Sequence, residues 1–230
     1  MGSDATRRNL EAWDRTFRAR DWGRYPAEDL VRFIARTFGA VDDKSKIRIL
    51  EIGCGPGANL WYLAREGFSI AAIDGSQTAL DQALTRMQMD GLHRAAESID
   101  LRQGNFAVLP WPDEVFDAAV DVESISANNN EVIQATIADA YRVLKPGAVL
   151  FAKMFGTETT GFDTTKQFEP NTLRNPADGP CKGMELAHFF DEQELRELFA
   201  KFSELTLDWS CRSDHGGRWR VFEWLVSARK

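Results

Sequence analysis

The chain has 230 residues, 43% of them hydrophobic and 27% charged, with a formal net charge of −7. This suits one large domain with a full apolar core, and the acidic balance argues against a polyanionic partner such as nucleic acid. No apolar run reaches the roughly 18 residues of a membrane span, and the scattered Cys54, Cys181 and Cys211 suggest neither a disulfide framework nor a metal site.

A reducing, cytoplasmic setting is therefore expected. Met1, Gly2 and Thr6 fit the loose myristoylation pattern, although Met-Gly-Ser also occurs as an expression scar. The arginines at 7, 8, 15, 18, 20 and 24 crowd the start, where Glu11, Asp14 and Asp21 can pair with them on a solvated helix face.

Residues 7–20 and 26–38 read as two helices, broken near Gly23 and Pro26. Apolar runs and helical periods then alternate. Strands are expected at Ile47–Ile52, Ser69–Ile73, Ile99–Gln103, Phe116–Val122 and Val149–Met154. Helices are expected through Leu60–Arg65, over Gln77–Met89 and over Glu131–Leu144, the last stopped by Lys145-Pro146-Gly147. His93 reads as a cap after a helix end. Strands alternating with helices predict a parallel sheet with crossover connections. Residues 155–190, rich in Gly, Thr, Pro and Asn, show no period and read as a substrate-side loop. A helix at Asp191–Lys201 follows. Leu205–Cys211 and Trp219–Ala228 then form a hairpin around Asp214-His215-Gly216-Gly217, which places the last strand antiparallel on the sheet.

The strongest motif is Leu50-Glu51-Ile52-Gly53-Cys54-Gly55-Pro56-Gly57-Ala58-Asn59-Leu60, leaving a strand and opening a helix. Its glycines permit a sharp turn and close backbone approach to a ligand. Their spacing differs from the GxGxxG of dinucleotide folds. Glu51 before the first glycine would repel a pyrophosphate but suits a ligand carrying positive charge. Asp74 ends the next strand, where an acid can accept both hydroxyls of a ribose; it can also serve as a helix N-terminal charge beside a Ser76 cap.

These motifs resemble the class I S-adenosylmethionine (SAM)-dependent methyltransferases, especially the bacterial small-molecule group. So do 109–117 (Leu-Pro-Trp-Pro-Asp-Glu-Val-Phe-Asp) and 142–148 (Arg-Val-Leu-Lys-Pro-Gly-Ala). The resemblance covers residues 45–154 well and the whole chain loosely. It implies a doubly wound, Rossmann-like α/β sheet of seven mostly parallel strands, with an antiparallel C-terminal strand and an N-terminal helical cap. The expected parts are the cap at 1–45, the SAM-binding core at 46–154, the loop at 155–190, and the last helix and hairpin at 191–230.

The resemblance further implies a cofactor map. Gly53, Cys54, Gly55 and Gly57 would line the methionine and ribose side, with Glu51 orienting the turn and the amino group. Asp74 would hold the ribose, and Gly75 and Ser76 would lie against the adenine. Asn105 stands where the family often has an acid; its amide oxygen can still accept from the adenine amino group. Phe106 would meet the adenine edge, and Val122 would lie near the transferred methyl. Trp13 would belong to a cap over SAM, and Arg24 would pair with the SAM carboxylate.

The implied reaction is methyl transfer to an O or N atom of a small acceptor, leaving S-adenosylhomocysteine (SAH). Holding two reactants in line supplies roughly 7–11 kcal/mol, more than the ~10²–10⁴-fold from a general base. Candidate bases are His188, His215 and Glu123. An RNA or protein methyltransferase, a SAM-binding regulator without transfer activity and an aminopropyl transferase remain alternatives, and a homodimer is left open.

Overall fold

The computed structural model describes residues 4–230; Met1 and Gly2 of the myristoylation pattern lie outside the described residues. In chain order the principal elements are α1 (Asp4–Ala19), α2 (Glu28–Phe38), β1 (Arg48–Ile52), α3 (Ala58–Glu66), β2 (Ser69–Asp74), α4 (Gln77–Met89), α5 (His93–Ser98), β3 (Asp100–Gln103), β4 (Phe116–Val122), α6 (Asn130–Val143) and β5 (Leu144–Phe155). They continue with β6 (Gln167–Glu169), β7 (Thr172–Leu173), β8 (Ala187–His188), α7 (Glu192–Leu198), β9 (Ser203–Asp214) and β10 (Trp219–Arg229).

The main sheet has seven strands in the order β3-β2-β1-β4-β5-β10-β9. Strands β1 to β5 pair in parallel, and β10 runs antiparallel to both β5 and β9. Side chains alternate across the sheet and fill two apolar layers. Ile49, Ala72 and Val120 pack beneath α2, α3 and α4, whereas Leu50, Ile73 and Ala119 pack beneath α6 and α7. Chain order reverses at β1, between β2 and β4. A doubly wound sheet opens its ligand crevice at such a point, beyond the carboxyl ends of the strands.

Two stretches depart from the sequence expectation. Lys145-Pro146-Gly147 lies inside β5, with a register irregularity against β4 between Phe116 and Ala118. Gly147 takes φ 77° and donates its N–H to Lys230 O at 2.8 Å, so the chain turns without leaving the sheet. Residues 155–190 are also ordered. They form a small antiparallel sheet, β6-β7-β8, over a separate apolar cluster of Phe155, Leu173, Cys181, Ala187, Phe189 and Val221. Strands of two or three residues are too short to show a period, which hid them from the sequence. Helix α5, with His93 as its first residue, was likewise unforeseen.

Helix α1 lies across the top of the crevice. Asn9 Nδ2 donates to Ala127 O at 2.6 Å, Ser76 Oγ donates to Asp14 Oδ1 at 2.6 Å, and Gln82 Nε2 donates to Phe17 O at 3.0 Å. Most of the arginines at this end are neutralised: Arg7 and Arg8 by Asp4, Arg18 by Asp14, and Arg24 by Asp90.

Gly57 takes φ 80°, and a Cβ there would lie 2.7 Å from Ala83 Cβ on α4. Gly67 has a similar φ of 89°, and a Cβ there would meet nothing within 4 Å among the described residues beyond its chain neighbours. Gly57→Ala therefore combines backbone strain with overpacking, each about 1–3 kcal/mol, whereas Gly67→Ala carries strain alone. The Gly57 variant is expected to melt below the Gly67 variant, by about 2–4 °C per kcal/mol. Thermal unfolding by circular dichroism checks the order.

Candidate active site

The carboxyl ends of β1, β2 and β4 open into a cavity of about 460 Å³. Its floor is the turn after β1. Gly53 and Gly55 hold φ values of 66° and 48°, and a Cβ on Gly53 would fall 2.2 Å from Ser124 Cβ. The residue types of that turn are thus set by backbone conformation and by close packing.

Two acids shape the floor. Asp74 accepts the Gly55 N–H through Oδ2 at 2.8 Å and the Ser76 N–H through Oδ1 at 2.9 Å. Each oxygen keeps lone-pair capacity for a further donor, as a ribose diol requires. Burial nevertheless raises the Asp74 pKa, against the pull of these backbone donors. Glu51, 2% exposed, accepts from Asn59 Nδ2 at 2.8 Å, while its Oε2 has no hydrogen-bond partner among the described residues. Burial, with Asp121 and Asp74 nearby, pushes Glu51 up to about 8. A buried carboxyl on a cavity wall with one oxygen unpartnered fits a cationic ligand group such as the SAM ammonium.

Trp13, Phe17 and Trp22 form a mutually packed aromatic roof, with ring centroids 5.4–5.6 Å apart. Leu10 closes on Gly75 so tightly that a Cβ on the glycine would lie 2.3 Å from Leu10 Cδ2. The opposite wall carries Glu123, Lys153, Phe155, Pro180, Met184 and Arg212.

Eleven of the residues expected at the site line this one cavity: Glu51, Gly53, Cys54, Gly55, Asp74, Gly75, Ser76, Phe106, Val122, Trp13 and Glu123. Five do not. Gly57 caps α3 and serves its packing on α4. Asn105 turns its amide oxygen inward to accept from the Ala107 N–H at 2.9 Å. Arg24 points outward to Asp90, 3.9 Å away. His188, fully buried, has Nδ1 2.7 Å from Thr172 Oγ1 and Nε2 2.9 Å from Glu194 Oε1, a role in holding β7, β8 and α7 together. His215 lies exposed at the hairpin tip, against the Trp219 ring.

Sequence reasoning missed Asn9, Asn59, Lys153 and Arg212 on the wall, and Glu223 just behind it. One sign was present for two of them. Lys153 interrupts the apolar run of β5, and Glu223 that of β10; a charge within a buried strand needs a partner.

The fold is a doubly wound α/β domain, and its crevice has an acid-lined floor. Residues 49–147 match a family described as a methyltransferase domain. A solved SAM-dependent methyltransferase from Methanosarcina mazei is 26% identical, with a TM-score of 0.63 over 80% of this chain and 92% of that one. A glycine/sarcosine/dimethylglycine N-methyltransferase of Actinopolyspora halophila is 31% identical over 63% of this chain and 25% of its own length. A tRNA N(3)-cytidine methyltransferase of Danio rerio is 30% identical over 66% of this chain and 43% of its own. The chain thus spans less than half the length of these two curated relatives. Residues 49–147 thus match a methyltransferase domain, and the chain shares its fold with a SAM-dependent methyltransferase.

Because Glu51 is held at about 8, its neutral form is favoured in the folded chain, and the stability this gives fades as pH rises from 4.5 to about 8. Glu51→Gln keeps the Asn59 contact and never ionises. Without SAM, the variant is expected to melt above the native protein near pH 8, with the gap closing towards pH 4.5, while its SAM affinity falls. Melting curves across that range, and SAM calorimetry at pH 8, check both effects.

Proposed function

We propose that the chain transfers the SAM methyl group to an O or N atom of a small-molecule acceptor. The observation that carries this reading is the shared cavity. The Glu51–Asp74 floor and the Lys153–Arg212 wall face the same space, and its size falls within the ~300–1,000 Å³ of small-ligand sites. SAM supplies an activated methyl on a sulfonium. Asp74 would hold the ribose hydroxyls, Glu51 the amino group and Phe106 the adenine edge. The aromatic roof and the 155–190 segment, which contributes Pro180 and Met184, would exclude water.

Methyl transfer to RNA is the second reading, favoured by the tRNA-methylating relative. The net charge of −7 and the carboxylates paired to Arg7, Arg8, Arg18 and Arg24 favour a small acceptor instead. Cys54 and Cys181 are buried and Cys211 exposed, all as free thiols, which suits a reducing compartment.

Labelled SAM offered with a small-molecule pool and, separately, with tRNA decides between the two. Label is expected in the small-molecule fraction; label in tRNA alone would reverse the assignment. Asp74→Ala should weaken SAM binding by about 1.5–3 kcal/mol, roughly 10- to 150-fold in Kd. Calorimetry on a variant whose far-ultraviolet spectrum matches the native protein measures it.

A further inference from the structure

Two oxygens of cavity-lining residues are buried with no hydrogen-bond partner among the described residues: Glu51 Oε2 and Asn9 Oδ1. A buried acceptor left unpaired costs stability, and one kept on a cavity wall calls for a donor from the ligand. Glu51 suits an ammonium; Asn9 remains.

Asn9 lies on α1 and is 2% exposed. Its Nδ2 donates to Ala127 O at 2.6 Å and faces Asn128 Oδ1 at 3.4 Å. Asn128 is itself held the right way round, because its Nδ2 donates to Ser124 O at 2.9 Å. With two acceptors before its nitrogen, the Asn9 amide is fixed in orientation, and Oδ1 is the end left for a ligand.

The direction of that ligand follows from strand order. Glu51 stands on β1 and Asp74 on β2, and β3 is next in the sheet. In SAM the ribose sits between the amino-acid chain and the adenine. An ammonium at Glu51 and a ribose at Asp74 therefore send the base towards the end of β3. There Leu10, the neighbour of Asn9 on α1, fills the place beside Gly75. A Cβ on that glycine would lie 2.3 Å from Leu10 Cδ2 and 3.9 Å from Gly104 O. The acceptor that the loop after β3 could offer, Asn105 Oδ1, is taken by the Ala107 N–H.

We propose that Asn9 Oδ1 accepts the 6-amino group of the adenine, so that the cap helix, rather than the loop after β3, reads the base. This rests on the SAM-dependent methyltransferase reading above. SAM carries two amino groups, one on the amino acid and one on the base, and the wall offers two unpartnered oxygens. A purine without the 6-amino group brings no donor, and leaves Asn9 Oδ1 buried and unpaired.

Calorimetry with SAH and with its 6-deamino analogue, in which purine replaces adenine, tests this. The native protein is expected to bind SAH about 5- to 150-fold more tightly than the analogue. Asn9→Ala should bring SAH down to the affinity of the analogue, while the analogue binds as before and so reports an intact site. Asn9→Ser, whose hydroxyl can keep the Ala127 contact but which has no amide oxygen, is the second variant and should lose the same preference. Asn105→Ala should keep the native gap. A structural role for Asn9 would weaken both ligands alike with the gap intact, and that result overturns the proposal. Equal binding of the two ligands by the native protein overturns it too, as does a gap that closes in Asn105→Ala instead. Failure of SAH to bind the native protein is a different result: it removes the cofactor reading, and this inference with it.

Discussion

The carboxylate of Asp74 joins three parts of the chain that are distant in sequence. One oxygen holds the turn after β1 through Gly55, and the other holds the start of α4 through Ser76. Ser76 in turn caps α4 through Ala79 N and donates its hydroxyl to Asp14 on α1. A single buried acid therefore sets the glycine turn against the neighbouring strand end and, through Ser76, anchors the roof. The geometry of the cavity floor follows from these bonds, because backbone N–H groups in a buried crevice must find acceptors.

That arrangement concentrates negative charge. Glu51 and Asp121 are both raised to about 8 by burial, and Glu123 to about 8 by burial and Glu223. Buried acids of this kind cost stability unless paired, and such costs gather where a protein binds its ligand. A positively charged ligand group would offset part of that cost on the floor. On the opposite wall, Lys153 and Arg212 pair with Glu223.

The 155–190 segment ties the cover to the site. His188 links β7 to α7, and Phe189 packs with Phe155 and Phe162. Pro180 and Met184 thereby reach the cavity on a supported scaffold. Binding surfaces carried by ordered loops hold their side chains in place without the entropy loss of ordering them on binding.

The sequence alone determined the alternation of strands and helices, the glycine turn, Asp74 and the antiparallel end, because each is written in local pattern: apolar period, glycine spacing, or an acid after a strand. The tertiary structure decided what no local pattern carries. Asn105 is spent on its own turn and Arg24 on Asp90. His188 is buried outside the cavity lining, whereas Lys153, Arg212 and Glu223 converge from three different strands. Their meeting depends on β10 inserting between β5 and β9, a long-range pairing that sets which charges face one another across the sheet.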